Sequence, residues 1–315
     1  MNRLHRWSSL AAGLSCALAI SACGGGADNP SAAQTSASAA LAQVAGAPIA
    51  TNVTAIDGLN WINFRRAQIG MPILTRNAQI ERAAQGHSDY QKSNNKVTHE
   101  QIVGAPGFTG AQLLDRLTGA GYAFVPSDTA YGEVISATSN ASGFYMAEEL
   151  ITAIYHRFVM FEPKFKEIGT GSAANASGYT YFTSNFAANN GFGPGMGRGN
   201  IATWPADGQA GVTPNFFSNY EEPDPVENLN EVGYPISVHA DLDATLKVDS
   251  FTVRPRGGAL LNVKLLKLGV DSHTPKSAAA IIPLTVLAPS TVYEVSFSGT
   301  IDSLPITKTW SFTSK

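Results

Sequence analysis

The stretch NKVTHEQIVGAPG contains a histidine next to a glutamate, His99 and Glu100. In zinc proteases the pattern His-Glu-x-x-His places two imidazoles one helical turn apart, beside a carboxylate that acts as a general base. Here Val103 stands in place of the second histidine. Gly104 and Pro106 follow it, and both disfavour a helix. The zinc protease motif is therefore excluded, and the role of His99 must come from residues elsewhere in the chain.

Cysteine chemistry is excluded as well. The chain has two cysteines: Cys16 lies in an N-terminal stretch with the features of a signal peptide, and Cys23 directly follows that stretch. The predicted mature protein therefore has no disulfide, no thiol nucleophile and no thiolate metal ligand. No Gly-x-Ser-x-Gly motif marks a serine nucleophile either.

The N-terminus predicts secretion. Arg3 and Arg6 precede an apolar run from Leu10 to Ile20, which is too short to span a bilayer. Ser21, Ala22 and Cys23 then resemble a bacterial lipobox, which implies a signal peptide over residues 1–22 and lipidation of Cys23. Several acyl chains on one cysteine give stable anchoring in a membrane. The alternative is an ordinary signal peptide and a secreted protein.

Charge and composition limit the classes of partner. The 315 residues are 44% hydrophobic and 14% charged, as in a globular protein of two modest domains, and the net charge is −3. Loss of Arg3 and Arg6 with the signal peptide leaves 19 basic against 24 acidic residues, or −5. We therefore expect no nucleic-acid partner. The glycine after Cys23 favours the outer membrane if the cell is Gram-negative.

The chain divides by composition into four parts after the signal peptide. Residues 23–50 are rich in Ala, Ser and Gly and are predicted to be a flexible tether. Residues 51–190 contain helical stripes interleaved with strand-like segments. The helical stripes include one over YMAEELITAIYHRFVM. Residues 191–230 are rich in Gly and Pro and are predicted to be a linker. Residues 231–315 alternate in the manner of β-strands and predict a small immunoglobulin-like sandwich.

Residues 59–187 resemble the CAP family, which comprises the cysteine-rich secretory, antigen 5 and pathogenesis-related proteins, in its bacterial secreted form. The resemblance is carried by the order and spacing of several short pieces, namely LNWINFRRAQIGMPILTRNAQIERAAQGHSDY, THEQ, DRLTGAGY, YGEVIS, YHRFVMFEPKFKEIGTG and YFTSNFA. It implies an α-β-α sandwich, so we predict an α+β protein in which this sandwich precedes an all-β domain.

The resemblance also implies a cleft, which the family usually forms with two His and two Glu and which holds a divalent metal in some members. His99 and Glu133 match two of these four positions. The second Glu falls near Ala153 and the second His aligns with Tyr181, so both are lost. His156 could replace one ligand. His87 shares a helical stripe with Ile80 and Ala84, which predicts a hydrogen-bonded histidine at the edge of the core or the cleft.

Two interpretations of the cleft remain open. His99, Glu133 and His156 could supply three ligands to zinc, with Tyr181 bonding to a bound anion or water. Alternatively they form a polar network without metal, in which His99 pairs with Glu133, and we favour this second interpretation.

Three functions follow as hypotheses. The first is a lipid-anchored protein of the bacterial envelope that binds a small molecule, lipid or cell-wall component without turnover. The second is a hydrolase of peptide or cell-wall material that uses Glu133, His99 and His156. The third is an adhesion or scaffold protein that acts through its β domain.

Overall fold

The computed structural model describes residues 14–15, 41 and 43–315. Most of the predicted signal peptide, the lipidation site Cys23 and most of the predicted tether lie outside the described residues. Leu14–Ser15, within the predicted signal peptide, forms a two-residue strand, β1, that pairs in parallel with Gly132 and Glu133. Removal of the signal peptide would take β1 away from the sheet. In this described part of the chain, no helix is long and apolar enough to cross a membrane.

The layered domain, residues 54–188, contains helices on both sides of a central sheet. Its helices are α1 (Thr54–Gln68), α2 (Ala78–Asn94), α3 (Leu113–Gly119), α4 (Gly143–Thr152) and α5 (Ile154–Met160). Its strands are β2 (Thr75–Arg76), β3 (Ala130–Thr138), β4 (Glu167–Ala174) and β5 (Thr180–Ala188).

The central sheet has the order β1-β3-β5-β4-β2, in which β5 pairs antiparallel with both β3 and β4. Helix α2 packs on one face of this sheet, and α1, α4 and α5 pack on the other. Gly169 and Gly171 allow the close approach of α2, because a Cβ at either position would lie within 2.5 Å of the α2 backbone. The predicted α-β-α arrangement is confirmed.

The stripe over YMAEELITAIYHRFVM predicts one helix, and the structure contains two. Helix α4 ends at Thr152, Ala153 is extended with φ −70° and ψ 122°, and α5 begins at Ile154. The carboxylate of Glu221 accepts the backbone N–H groups of Ile154 and Tyr155 at 2.8 and 2.6 Å. A distant side chain therefore caps a helix start that local periodicity does not reveal.

The strands of the β region, residues 201–315, are β6 (Ile201–Trp204), β7 (Gln209–Val212), β8 (Asn215–Phe217), β9 (Glu231–Gly233), β10 (Ile236–Ala240), β11 (Leu246–Pro255), β12 (Val263–Lys267), β13 (Ala278–Pro283), β14 (Val292–Ile301) and β15 (Leu304–Ser314). They form two four-stranded sheets, one with the order β12-β13-β10-β6 and the other β11-β14-β15-β7, and a two-stranded pair, β8-β9. All pairings in this region are antiparallel except that of β15 with β7. The predicted all-β C-terminal region is confirmed, whereas its immunoglobulin-like topology stays a prediction.

The prediction that residues 191–230 are a linker is wrong for residues 201–217. Strand β6 pairs with β10 in one sheet, and β7 pairs with β15 in the other. Each of these strands is only four residues long and lies between glycine-rich turns. The composition of the whole segment therefore does not indicate a strand. The tether also ends earlier than predicted, because Leu41, Val44 and Ala47 pack against the hydrophobic core.

The layered domain and the β region share one hydrophobic core. At the junction the ring of Phe161 lies 5.3 Å from that of Trp204 and 5.4 Å from that of His239. The buried guanidinium of Arg157 donates to the carbonyl of Pro235 at 2.7 Å. These contacts join the two parts into a single packed unit.

Candidate functional site

Glu133 lies at the centre of the predicted site. Strand β3 carries it on the face of the sheet that is covered by α2 and α3, where it is almost completely buried. Its Oε1 accepts from Nη2 of Arg116 and from Nδ1 of His99, each at 2.8 Å, and its Oε2 accepts from the same Arg116 nitrogen at 2.8 Å. Both carboxylate oxygens are therefore occupied by donors from the protein.

Arg116 reaches Glu133 from the buried side of α3. Leu113, Arg116 and Leu117 are the buried residues of this short helix, so a charged side chain lies within its apolar stripe. Its Nη1 also donates to the backbone carbonyl of His99 at 2.9 Å. The guanidinium thus joins the strand to the loop that carries His99 and fixes the position of both.

The charge of Glu133 is stabilised despite its burial. Burial alone would raise the pKa of the carboxyl, but His87, Arg116 and His99 together hold that pKa below its ordinary range. Glu133 is therefore an ionised acceptor at neutral pH and has no proton to give. A buried carboxylate that is bonded to a guanidinium is a poor general base, because protonation would leave the cation unpaired.

His99 has one nitrogen bound and one free. Nδ1 lies against the Glu133 carboxylate, so an imidazole with a single proton would carry it on Nδ1 and leave a lone pair on Nε2. The Nε2 atom is buried and has no hydrogen-bond partner among the described residues. The side chain as a whole is 10% exposed. His99 therefore offers an oriented acceptor near the protein surface.

His87 belongs to the same network but is fully satisfied. Its Nε2 donates to the carbonyl of Thr98 at 2.7 Å, and its Nδ1 accepts from Nε2 of Gln101 at 2.9 Å. Burial lowers the pKa of His87 to about 4, so the ring is neutral at physiological pH. Its Nε2 lies 3.8 Å from Oε1 of Glu133. His87 is a structural neighbour of the pair and has no lone pair free for a ligand.

Asn185 adds an unpredicted polar group beside Glu133. The two residues are directly opposite on β5 and β3, so their side chains share a face of the sheet. Thr183, two residues earlier on β5, lies on the same face and accepts from Ser88 of α2. Asn185 and Glu133 therefore lie on the face of the sheet that α2 covers. Within the described chain neither the amide oxygen nor the amide nitrogen of the buried Asn185 has a partner. The site therefore has unused capacity for hydrogen bonds at His99 and at Asn185.

Tyr181 lies outside this cluster. Its cross-strand neighbour on β3 is Ala137, four residues from Glu133, which corresponds to about 13 Å along the strand. The hydroxyl donates to Oδ1 of Asn95 at the end of α2, at 2.9 Å, and burial raises the pKa of Tyr181. The phenol thus fixes the end of a helix.

His156 also lies elsewhere, which corrects its predicted place beside His99 and Glu133. Its Nδ1 is 2.9 Å from Oε1 of Glu221, and both side chains are fully buried at the junction with the β region. The next residue, Arg157, donates to Pro235 and Ser237 of that region. The His-Arg pair joins the two parts of the chain. Sequence could not show this, because Glu221 is 65 residues away.

The comparison with protein families agrees with this architecture. The family model described as the cysteine-rich secretory protein family, CAP, matches residues 59–186. Residues 59–186 are a CAP domain. They include all of β3, α3 and the loop that carries His99, so the described site lies within the CAP domain.

Several solved structures are similar in part. An extracellular protein with an SCP domain from Bacillus anthracis is 24% identical over 44% of this chain and 44% of its own, with a TM-score of 0.36. An outer surface protein from Borrelia burgdorferi is 12% identical over 42% of this chain and 90% of its own, with a TM-score of 0.36. A cysteine-rich secretory protein from Staphylococcus aureus is 15% identical over 44% of this chain and 40% of its own, with a TM-score of 0.31. The matches therefore cover less than half of the Bacillus and Staphylococcus proteins. No curated protein matches the sequence.

The residues of the CAP domain do not fit the metal that its family holds in some members. Of the predicted ligands, His156 is bonded to Glu221, and both oxygens of Glu133 accept from Arg116. Within the described cleft only Nε2 of His99 is left, because the unpartnered Nε2 of His156 lies at the junction with the β region. A stable site needs three or four ligands. Among the described residues, no group of three His, Cys, Asp or Glu side chains could hold a metal ion.

Arg116, Gln101 and Asn185 were missed as members of the site. Arg116 has a signal in the sequence, because it lies on the apolar stripe of DRLTGAGY and a buried cation needs an anion. Gln101 and Asn185 have none, because their roles depend on which chain segments the fold brings together.

Two cavities lie away from this site. One of about 610 Å³ is lined by Tyr122, Lys166, Glu167 and their neighbours at the start of α2. There Glu167 accepts from the hydroxyl of Tyr122 at 2.5 Å and from Asn77 at 2.7 Å. A second, of about 520 Å³, lies against Asp241 and Asp302 in the β region. We do not take either as the functional site, because the polar groups named in both are already paired. In the second, Asp241 accepts from the N–H of Met196 and Asp302 accepts from the N–H of Thr245.

Proposed function

We propose that this chain is a secreted, lipid-anchored envelope protein whose CAP domain binds a small polar ligand at His99 without chemical turnover. The observation that carries the proposal is the unpartnered, oriented Nε2 of His99, held by a carboxylate that is itself fixed by Arg116. A buried polar atom without a partner costs free energy, which a bound donor group would recover.

The free lone pair defines the ligand chemistry. His99 presents an acceptor, so the ligand offers a hydroxyl or an amine N–H to it. Hydroxyl and amine groups are found in the head groups of membrane lipids and in the sugars and peptides of cell walls. Anchoring through lipidated Cys23, with the outer membrane as the expected location, would place the CAP domain among both kinds of molecule.

The contacts of Glu133 argue against the hydrolase alternative. That hypothesis needs Glu133 to take a proton from water, with His156 nearby. Glu133 instead accepts from Arg116 and His99 with both of its oxygens, and its pKa is lowered. His156 belongs to the junction with the β region. The adhesion alternative has no observation of its own in its favour.

The test follows the ring nitrogens of His99 by long-range ¹H–¹⁵N NMR. Four soluble probes are titrated in turn, namely muramyl dipeptide, N-acetylglucosamine, dihexanoyl-phosphatidylethanolamine and dihexanoyl-phosphatidylglycerol. We expect at least one to shift the Nε2 signal of His99 saturably and to lose its binding in His99→Phe. The exposed His273 gives the matched control, and His273→Ala retains binding.

Mass spectrometry of the same samples tests for turnover. Probe recovered unchanged supports a binding protein, whereas a cleaved product that disappears in Glu133→Gln would show an enzyme. If none of the four probes shifts His99, the assignment of this residue as the binding group fails. Thermal unfolding of His99→Phe separates lost binding from a lost fold.

A further inference from the structure

The loop between α2 and α3 exposes an apolar tip next to the site. Ile102 is 63% exposed and Val103 is 78% exposed, and Phe108 and Leu114 are exposed as well. From Gln101 to Leu114 the chain contains no charged residue and no histidine. Exposed apolar residues that are scattered singly are ordinary, but a neutral segment with four of them is a candidate interaction surface.

The apolar tip is held rigidly in this exposed position. Two successive turns close with Ala105 N–H donating to the carbonyl of Ile102 and Phe108 N–H donating to that of Ala105, each at 3.1 Å. Gly104 and Gly107 supply the positive φ angles of 84° and 75° that these turns require. The loop is therefore shaped by its own backbone and does not depend on a partner for its conformation.

Helix α2 anchors the tip from below. The hydroxyl of Tyr90 accepts the N–H of Ile102 at 2.9 Å, and the amide of Asn94 donates to the carbonyl of Pro106 at 2.8 Å. With the backbone polar groups held inward, the side chains of Ile102 and Val103 point away from the domain. The apolar side chains are therefore exposed, while the backbone groups named above are already hydrogen-bonded. Burial of the tip in an apolar environment would then leave few backbone groups without a partner.

We propose that the apolar tip, residues 102–108, docks on the bilayer that holds the lipid anchor, and so orients the His99 site towards the membrane surface. The inference rests on the anchoring in the proposed function. A bilayer is the partner that fits this tip best. The tip has no charged residue and no histidine, so it has no group that would recognise a charged surface of another protein.

The length of the chain between anchor and domain supports this occupant. Seventeen residues separate Cys23 from Leu41, where the described domain begins to pack. Seventeen residues can reach at most about 55 Å. The membrane would then always be within reach, at a high effective concentration, so even weak affinity of the tip would orient the domain.

Vesicle binding tests the proposal with the mature chain made without lipid, residues 24–315. Sedimentation with vesicles of phosphatidylcholine and phosphatidylethanolamine measures partitioning, and a second set contains phosphatidylglycerol. We expect the unmodified sequence to bind both sets alike and independently of salt. The double variant Ile102→Asp/Val103→Asp should bind at least tenfold more weakly, whereas the control Val270→Asp, at an exposed site of the β region, should change binding less than twofold.

A fluorescence readout locates the contact. Residues 24–315 contain no cysteine, so Val103→Cys can be labelled at one site with an environment-sensitive dye. We expect its emission to shift to the blue on vesicles and that of a labelled Val270→Cys to stay unchanged. Failure of the chain to bind vesicles, equal loss in the control, or self-association through the tip seen by light scattering would each overturn the proposal.

A His99→Ala variant keeps this test separate from the proposed function. On vesicles of phosphatidylcholine alone, whose head group offers His99 neither a hydroxyl nor an N–H, it should bind as the unmodified chain does, because the tip lies outside the His99 contacts. Loss of vesicle binding in the tip variant with retained NMR binding at His99 would support two distinct surfaces.

Discussion

Nη2 of Arg116 lies 2.8 Å from each carboxylate oxygen of Glu133, and both side chains are almost completely buried. Arg116, on the short helix α3, thereby neutralises the charge of Glu133 on strand β3. The pair also explains why the cleft differs from a metal site, because the guanidinium occupies the carboxylate that a metal would need.

Removing one member of this pair should be costly. Arg116→Met leaves Glu133 charged and buried, and we expect a loss of about 3–5 kcal/mol in the free energy of unfolding. The double variant Arg116→Met/Glu133→Gln removes both charges and should recover a large part of this loss. Urea unfolding measures both. A single variant as stable as the unmodified protein would show that the pair contributes nothing.

Stability should fall as the pH drops from about 6.5 towards 4. Unfolded His87 binds a proton below its ordinary pKa of about 6.5, whereas burial lowers its folded pKa to about 4. The unfolded state therefore takes up more protons in this window, and stability decreases by about 3 kcal/mol across it. His239, whose folded pKa burial lowers to about 3, adds a loss of the same sign.

A matched pair of variants checks this assignment. His87→Gln should flatten the dependence of unfolding free energy on pH between 6.5 and 4, after allowance for its lower overall stability. His273→Ala, at an exposed position, should leave the slope as it is. An unchanged slope in His87→Gln would show that this histidine is not the titrating group. The stability from the lowered pKa of Glu133 is lost mainly below its ordinary pKa of about 4.5 and so falls largely outside this window.

Zinc should find no specific site. Calorimetric titration at pH 7.5 is expected to give no saturable heat, and His99→Ala should behave like the unmodified chain. His99 supplies one free nitrogen in the cleft, and the free nitrogen of His156 is buried far from it, beside Glu221. One-to-one binding that disappears in His99→Ala would mean that Glu133 can leave Arg116 for a metal.

Glu221 should stabilise the CAP domain from outside it. Its carboxylate accepts three backbone N–H groups at the start of α5 and contacts His156. We expect Glu221→Ala to lower the free energy of unfolding by about 2 kcal/mol or more, since it removes a buried helix cap. Glu227→Ala, at an exposed position nearby, is the control. Equal effects of the two substitutions would show that Glu221 does not stabilise the start of α5.

The shared core predicts a single unfolding transition. Trp61 reports on the CAP domain and Trp310 on the β region. In a variant that retains one of them, the urea transition followed by its fluorescence should coincide with the transition followed by circular dichroism. Two separated transitions would show independent domains. Because the core is continuous, deleting residues 228–315 is a poor test of adhesion through the β region, and substitutions on its exposed surface are the better choice.

Periodicity and order of motifs were enough to predict the layered α+β fold, because each element of the CAP domain buries its own apolar face. They also predicted an all-β C-terminal region. The pairing of His99 with Glu133 was expected from the resemblance, and the structure places the two side chains in contact. These features depend on local pattern or on the order of motifs along the chain.

The other contacts depend on residues far apart in sequence, and tertiary structure decided them. Glu221 divides a continuous helical stripe into two helices and takes His156 away from the cleft. Arg116 decides the charge state of Glu133 and the unsuitability of the site for metal. Pairing across 65 residues leaves no periodic trace in the sequence, because the energy of a buried ion or cap is set by the partner that the fold brings to it.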